Sequence, residues 1–249
     1  MPPFCSGPGC SAPLTLEHSQ SCSKGGSWII RHDTVKHALA ACARLATSTA
    51  PGDVTVQVEK PIELQASRPN AASTNNQQAA NGKDARLDVH IRNLNVGSEV
   101  KTYSVDVRVT HLDCRSYSRL GKATDELLRR QAKSKCDKYE ATVNARRWFF
   151  NPFVVTTCGI LSPPAECLLK ELAAQYASKR NMSVSMATAL MRAQIGIAII
   201  KGTSWGLYCD KSDQAKVAGR IRREQQDRGP SEAEIRGLFS DGGASQLPS

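Results

Sequence analysis

Between Ala85 and Thr110 (ARLDVHIRNLNVGSEVKTYSVDVRVT) apolar and polar side chains alternate. Leu87, Val89 and Ile91 alternate with Arg86, Asp88, His90 and Arg92. Further on, Tyr103, Val105, Val107 and Val109 alternate with Thr102, Ser104, Asp106 and Arg108. A period of two predicts two strands, one face on a core and the other carrying the polar groups. A turn near Asn95–Glu99, centred on Gly97, joins them as a hairpin. Upstream, Val35, Leu39, Cys42 and Leu45 form a helical stripe within Trp28–Thr47. Asp33 or Thr34 is placed to cap the start of that helix, and Pro51-Gly52 to end it. Val54–Lys60 reads as a strand with Val54, Val56 and Val58 on one face and Glu59 on the other. Downstream, Lys122–Trp148 reads as a long helix whose inward face holds Leu128, Ala132, Lys135, Tyr139 and Val143. Then come a short buried strand (Pro152–Thr157), an amphipathic helix (Pro163–Lys179) and a nearly uncharged, core-covering helix (Ser183–Ile200). Helices bracketing a mixed sheet predict an α/β, or α+β, domain.

The segments between these elements set the expected boundaries. Residues 1–27 are rich in Cys, Ser, Gly and Pro, too polar for a core of their own. Residues 28–205 form the main domain, with 66–84 as a mobile inserted loop. Residues 206–249 are a basic tail whose end is disordered by composition. The 249 residues suffice for one domain with appendages. A formal charge of +10 favours polyanionic partners, nucleic acid first and an anionic membrane surface second. A merely soluble basic surface is the plainer alternative. Nine cysteines is an odd number, and the N-terminus lacks the basic and then apolar run of a secretory leader. Together these imply a reducing compartment, nuclear or cytoplasmic, with thiols as metal ligands or buried small hydrophobes. No apolar stretch is expected to reach the ~20 residues that span a bilayer, because Arg192 interrupts the longest candidate, around Met186–Ile200.

The hairpin carries the first candidate chemistry. Folding it about Gly97 sets Asp88 opposite Asp106, about 5 Å apart at Cβ. Like charges so placed destabilise a hairpin, and a shared divalent cation would offset the cost. Otherwise the register is shifted, or the acids lie on a wet sheet face. His90 and Arg108 fall on the same face and favour the first reading. In the N-terminal segment, Cys5-x4-Cys10-x7-His18-x3-Cys22 supplies three thiolates and an imidazole. That set suits a closed, structural, tetrahedral zinc site, which would do the folding a core cannot; a disordered leader is the alternative. Lys135 is a lysine on an inward stripe, so its ammonium needs an acceptor unless it snorkels out at the edge of the core. Arg129, Arg130, Lys133, Lys138, Arg146 and Arg147 make a modest basic face suited to backbone phosphates.

The order of these features resembles the PD-(D/E)xK nucleases, and most of all the restriction-like endonuclease domain found in the C-terminal region of some non-LTR retrotransposon reverse-transcriptase polyproteins. The residues that carry the resemblance span roughly 5 to 205. They are the Cys/His cluster, Lys24-Gly25-Gly26, Arg31-His32, Val58-Glu59-Lys60-Pro61, Ala85-Arg86-Leu87-Asp88, Val105-Asp106-Val107-Arg108-Val109, Lys135 with Tyr139, and Phe153-Val154-Val155-Thr156-Thr157. Arg108 stands where the family usually has lysine, and Leu87 where it has proline. The resemblance implies an αβββαβ core and a DNA endonuclease, with RNA as the alternative substrate. Asp88 and Asp106 would hold Mg or Mn, with Glu59 as a third acid, and an Mg-activated water would attack the phosphodiester. Arg108, or Lys135 standing in for the missing strand lysine with Tyr139 one turn further on, would offset charge on the transition state, and His32 would lie close by. The rival reading is a catalytically decayed, nucleic-acid-binding remnant of a larger polyprotein.

Overall fold

The computed structural model describes residues 4–5, 10–13, 15–22, 27–47, 55–62, 85–112 and 123–208. Pro51-Gly52, Val54, the loop 66–84 and the basic tail from Asp210 lie outside these residues, and so do the expectations placed on them. The elements run α1 (Leu16–Ser21), α2 (Ser27–Thr47), β1 (Val56–Ile62), β2 (Ala85–Val96), β3 (Glu99–Thr110), α3 (Thr124–Asn144), β4 (Phe149–Thr156), α4 (Pro163–Arg180) and α5 (Val184–Tyr208). The strands form one mixed sheet in the order β1-β2-β3-β4, with β4 parallel to β3 and the other pairs antiparallel. The fold is mixed α/β, a four-stranded sheet flanked by helices.

Alternation along the strands gives each face of the sheet its own cover. Val89, Ile91, Val105, Val107, Phe153 and Val155 join Val35, Leu39, Leu168, Leu172 and Met191 in the main core. Helices α2 and α4 lie on that face, and α5 packs behind them. On the other face Leu128 and Ala132 of α3 meet Val154. Farther along α3, Tyr139 and Val143 meet Leu87, with Trp148 and Phe150 alongside. Pro152 sits inside β4, where a missing N–H is tolerated because β4 is an edge strand.

The hairpin reaches its register by a detour. Val96 pairs with Glu99 across Gly97-Ser98, with Gly97 at φ +62. Continued unbroken, that pairing would set Asp88 against Val107. Between the Leu94–Lys101 and Ile91–Tyr103 pairs, however, β2 places both Arg92 and Asn93 against Thr102 alone. This is a β-bulge, and Asn93 adopts a left-handed φ of +58 within it. The bulge moves the register by one. Val89 therefore faces Val105, the last pair of the ladder at this end, and just beyond it the Asp88 side chain accepts the Val107 N–H. A second irregularity lies on β1, where Glu59 has φ +56 between the Val58–Val89 and Lys60–Leu87 pairs. There the alternation changes sides: Leu87 packs under α3 and not, as the strand pattern predicts, with Val89 and Ile91.

Three helix expectations are corrected. Helix α2 starts at Ser27, so Asp33 and Thr34 lie inside it and cap nothing. Their side chains serve other partners: Asp33 binds Lys36, and Thr34 Oγ1 donates to the Arg31 and Ala198 carbonyls. Helix α3 stops at Asn144. Arg147, at φ +58, turns the chain, so that Trp148 leaves the helix and its ring lies 4.6 Å from that of His90. Helix α5 runs on to Tyr208, and Val184–Trp205, with mean hydropathy 1.3, is long and apolar enough to cross a bilayer by length and composition alone. That overturns the expectation that no stretch approaches this length. In the fold α5 packs along α2 and α4. Where it crosses α2, a Cβ on Gly202 would lie 2.6 Å from the Arg31 Cα, so the two backbones touch.

Candidate active site and metal centre

The bulge delivers Asp88 and Asp106 to neighbouring strand positions, and two helices supply cations to them. Asp88 Oδ2 accepts the Val107 backbone N–H at 2.7 Å and lies 3.2 Å from His32 Nε2 on α2. Asp106 Oδ2 lies 2.7 Å from Lys135 Nζ on α3. The inward lysine of α3 thus finds the acceptor its burial requires, and the hairpin's polar groups face two helices. In both aspartates the described partners take Oδ2 and leave Oδ1 uncommitted among the described residues. Burial pushes the Asp106 carboxyl up from its ordinary range. The Lys135 charge opposes that rise and the Asp88 charge adds to it.

Behind Asp88 runs a chain of alternating charge. His32 Nδ1 is 3.3 Å from Asp33 Oδ1, which is 2.8 Å from Lys36 Nζ. Lys36 Nζ is in turn 2.7 Å from Glu59 Oε1. Burial disfavours a charged His32, but bonds to Asp33 and Asp88, with the Asp88 charge, outweigh it and raise the ring to about 9. Burial likewise opposes charge on Asp33 and Lys36. Their mutual bond, with His32 on one side and Glu59 on the other, reverses both effects, so Asp33 sits well below the usual carboxylate range and Lys36 above the usual amine range. Lys36 is 2% exposed. Its weak signal in the sequence is an i,i+3 spacing from Asp33, one position off the apolar stripe; neither residue was among the expected site residues.

The remaining expected residues take varied places. Glu59 is turned toward α2 by its left-handed backbone and is held by Lys36. Tyr139 is buried under the sheet, its ring 5.8 Å from the Lys135 ammonium. Arg108 is half-buried on β3, two positions beyond Asp106. His90 is fully buried beneath Trp148 and Lys60, not on an open polar face. Arg129, Arg130, Lys133, Lys138 and Arg147 are exposed, and Arg146 is half-buried.

The N-terminal residues build a separate centre. Phe4 and Pro13 form a bridge, and the Cys5 N–H donates to the Ala12 carbonyl at 2.9 Å. Thr15 caps α1 by accepting the His18 N–H at 3.1 Å. These local bonds bring Cys5, Cys10, His18 and Cys22 together, with all four ligand atoms within 4.8 Å of one another. The separations are 3.7 Å for Cys5–Cys22, 4.0 Å for Cys10–Cys22 and 3.3 Å for Cys10 Sγ to His18 Nε2. Ordinary Zn–S and Zn–N bonds in a tetrahedron give edges of about 3.8 Å for S···S and about 3.5 Å for S···N. The group could therefore hold a metal such as zinc. Among the described residues it is the one set of three or more ligand-type side chains that converges so closely. Comparison with protein-family models and with curated proteins finds no match to the chain.

Proposed function

We propose that the chain is a metal-dependent DNA endonuclease domain of the PD-(D/E)xK kind, of retroelement origin, preceded by a structural zinc module. The observation that carries this reading is that Asp88 and Asp106 lie just beyond the Val89–Val105 pair on adjacent strands, the Asp88 charge acting on Asp106, with Lys135 2.7 Å from Asp106 on a helix that the sequence pattern already turned inward. The α-β-β-β-α-β order of the core is in keeping with it. The uncommitted Oδ1 atoms of the two acids offer hard oxygen donors of the type Mg²⁺ or Mn²⁺ takes. Such an ion would supply Lewis-acid charge and lower the pKa of water at the phosphodiester. The chain's own groups would do the rest. Lys135 brings a positive charge to the place where phosphoryl oxygens gain negative charge. His32 and the Val107 N–H fix the Asp88 carboxylate. The exposed arginines and lysines of α3 hold the flanking backbone.

One observation favours a second reading, a binding remnant without chemistry. Each aspartate already has a cation beside it, so the pair is neutralised without any added metal. Nicking of supercoiled plasmid in Mg²⁺ or Mn²⁺, with EDTA and Asp106→Asn as controls, separates the two. The nuclease reading expects nicks that vanish in both controls while DNA binding persists. Binding without nicks under every divalent ion would leave the remnant.

A further inference from the structure

On the α3 side of the sheet, Lys60 Nζ lies 3.0 Å from His90 Nε2 and 4.2 Å from the centroid of the Trp148 ring. His90 Nδ1 lies 3.0 Å from Ser104 Oγ. An ammonium only donates, so Nε2 accepts from Lys60, and Nδ1 carries the ring proton toward Ser104. The histidine therefore stands between the two as a neutral ring. The Arg146 guanidinium lies 5.6 Å over the same Trp148 ring. Among the described residues no carboxylate pairs with Lys60, whose contacts are a neutral ring and an aromatic face.

Lys60 thus holds its charge against a half-buried aromatic with no carboxylate beside it among the described residues, which costs energy until an anion arrives. The ammonium has three donors. One serves His90, one faces the Trp148 ring, and the third is left for a ligand. The position is also telling. His90 pairs with Ser104, two residues along from Asp88 and Asp106. That is about 7 Å on the ladder, close to the spacing of neighbouring phosphates on an extended strand. The left-handed turn at Glu59 is what permits this: β1 sends Glu59 to the α2 network and Lys60 to the opposite face.

We infer that Lys60 and Arg146, set over the Trp148 ring, form a seat for the nucleic-acid phosphodiester next to the one held at Asp88 and Asp106. This rests on the nucleic-acid reading above and adds to it a second anchoring point, which fixes the direction in which the strand crosses the sheet. Lys60 and Arg146 take the phosphate oxygens, and the indole offers its face and edge to the sugar and base.

The test is binding of the full chain to a labelled DNA duplex across a salt series without divalent ions. Losing one phosphate contact lowers the slope of log K against log salt by about one unit. Lys60→Gln is expected to bind several-fold more weakly with that reduced slope, and Lys60→Arg to restore it. Lys201→Gln, at an exposed position on α5, is expected to match the parent. An unchanged slope in a folded Lys60→Gln protein overturns the seat, even if the chain nicks DNA. A reduced slope in a chain that never nicks keeps the seat and removes the nuclease. No binding to duplex at any salt concentration removes both.

Discussion

At the scale of single residues, His32 is the link between the two acids of its helix and hairpin contacts. Its ring pKa is raised from 6.5 to about 9, because Asp33 and Asp88 favour the charged form more than burial opposes it. A raised pKa means that the folded state binds the proton more tightly than the unfolded chain does. The stability contributed is fully present below pH 6.5 and is lost as pH rises through about 9. NMR titration of the ring is expected to give a midpoint near 9. His32→Gln is expected to cost about 1.5–3 kcal/mol at pH 6, the range for hydrogen bonds to charged groups, and less at pH 9.5. A midpoint at the ordinary histidine value, with a pH-independent cost, would mean that the acids do not hold the ring. The inward place of Lys135 was legible from the sequence, because a lysine inside an apolar stripe demands an acceptor unless it snorkels out; that Asp106 is that acceptor shows only in the fold. Lys36 and Asp33 were not legible. A lysine beside a stripe looks like a surface residue, and Asp33 looks like a cap, until the fold brings Glu59 and His32 to them.

At the scale of elements, the hairpin was readable in its existence and, from Val89 to Ile91 and Val105 to Val107, in its core face, because alternation survives in the residues themselves; the switch of Leu87 to the α3 side was not. The bulge was not, since nothing in period two marks where one strand gains a residue. Asn93 supplies the conformation: asparagine tolerates a left-handed backbone that a β-branched residue resists. Asn93→Gly is therefore expected to be near neutral, and Asn93→Val to cost about 1–2 kcal/mol by urea unfolding. The distinctive outcome concerns geometry. If Asn93→Val loses the bulge instead of straining it, Asp88 moves against Val107, and the Val107 amide loses its carboxylate acceptor. Equal stability for the two variants, with the Val107 amide unchanged, would mean that the left-handed residue does not set the register. The end of α3 failed to show for a related reason. Arg147 resembles one more helical arginine, and only contact of Trp148 with His90 and Lys60 rewards leaving the helix there.

At the scale of the whole molecule, the N-terminal centre and the sheet are joined by α2, which contacts both. Among the described residues between 4 and 22 only Ser19 and Cys22 are buried, so their order depends on ligation. Elemental analysis of protein purified without added metal is expected to find one zinc per chain. Chelation should unfold α1 while amide protection in β2 and β3 persists. Zinc near zero in protein with an intact α1 would remove the ion from this account. The connection between the two regions is short. Arg31 reaches back to the Gln20 carbonyl at 2.8 Å, and the next residue is His32. Over this same turn of α2 lies Gly202, with no room for a single added carbon. A methyl there cannot be absorbed by a flexible side chain, because it meets the Arg31 backbone. It must lift one helix from the other and carry the histidine with it. Tolerance to mutation should thus be lowest at a position with no chemistry of its own, far along the chain from either acid, where an inherited change would silence the protein while leaving every reactive group in the sequence.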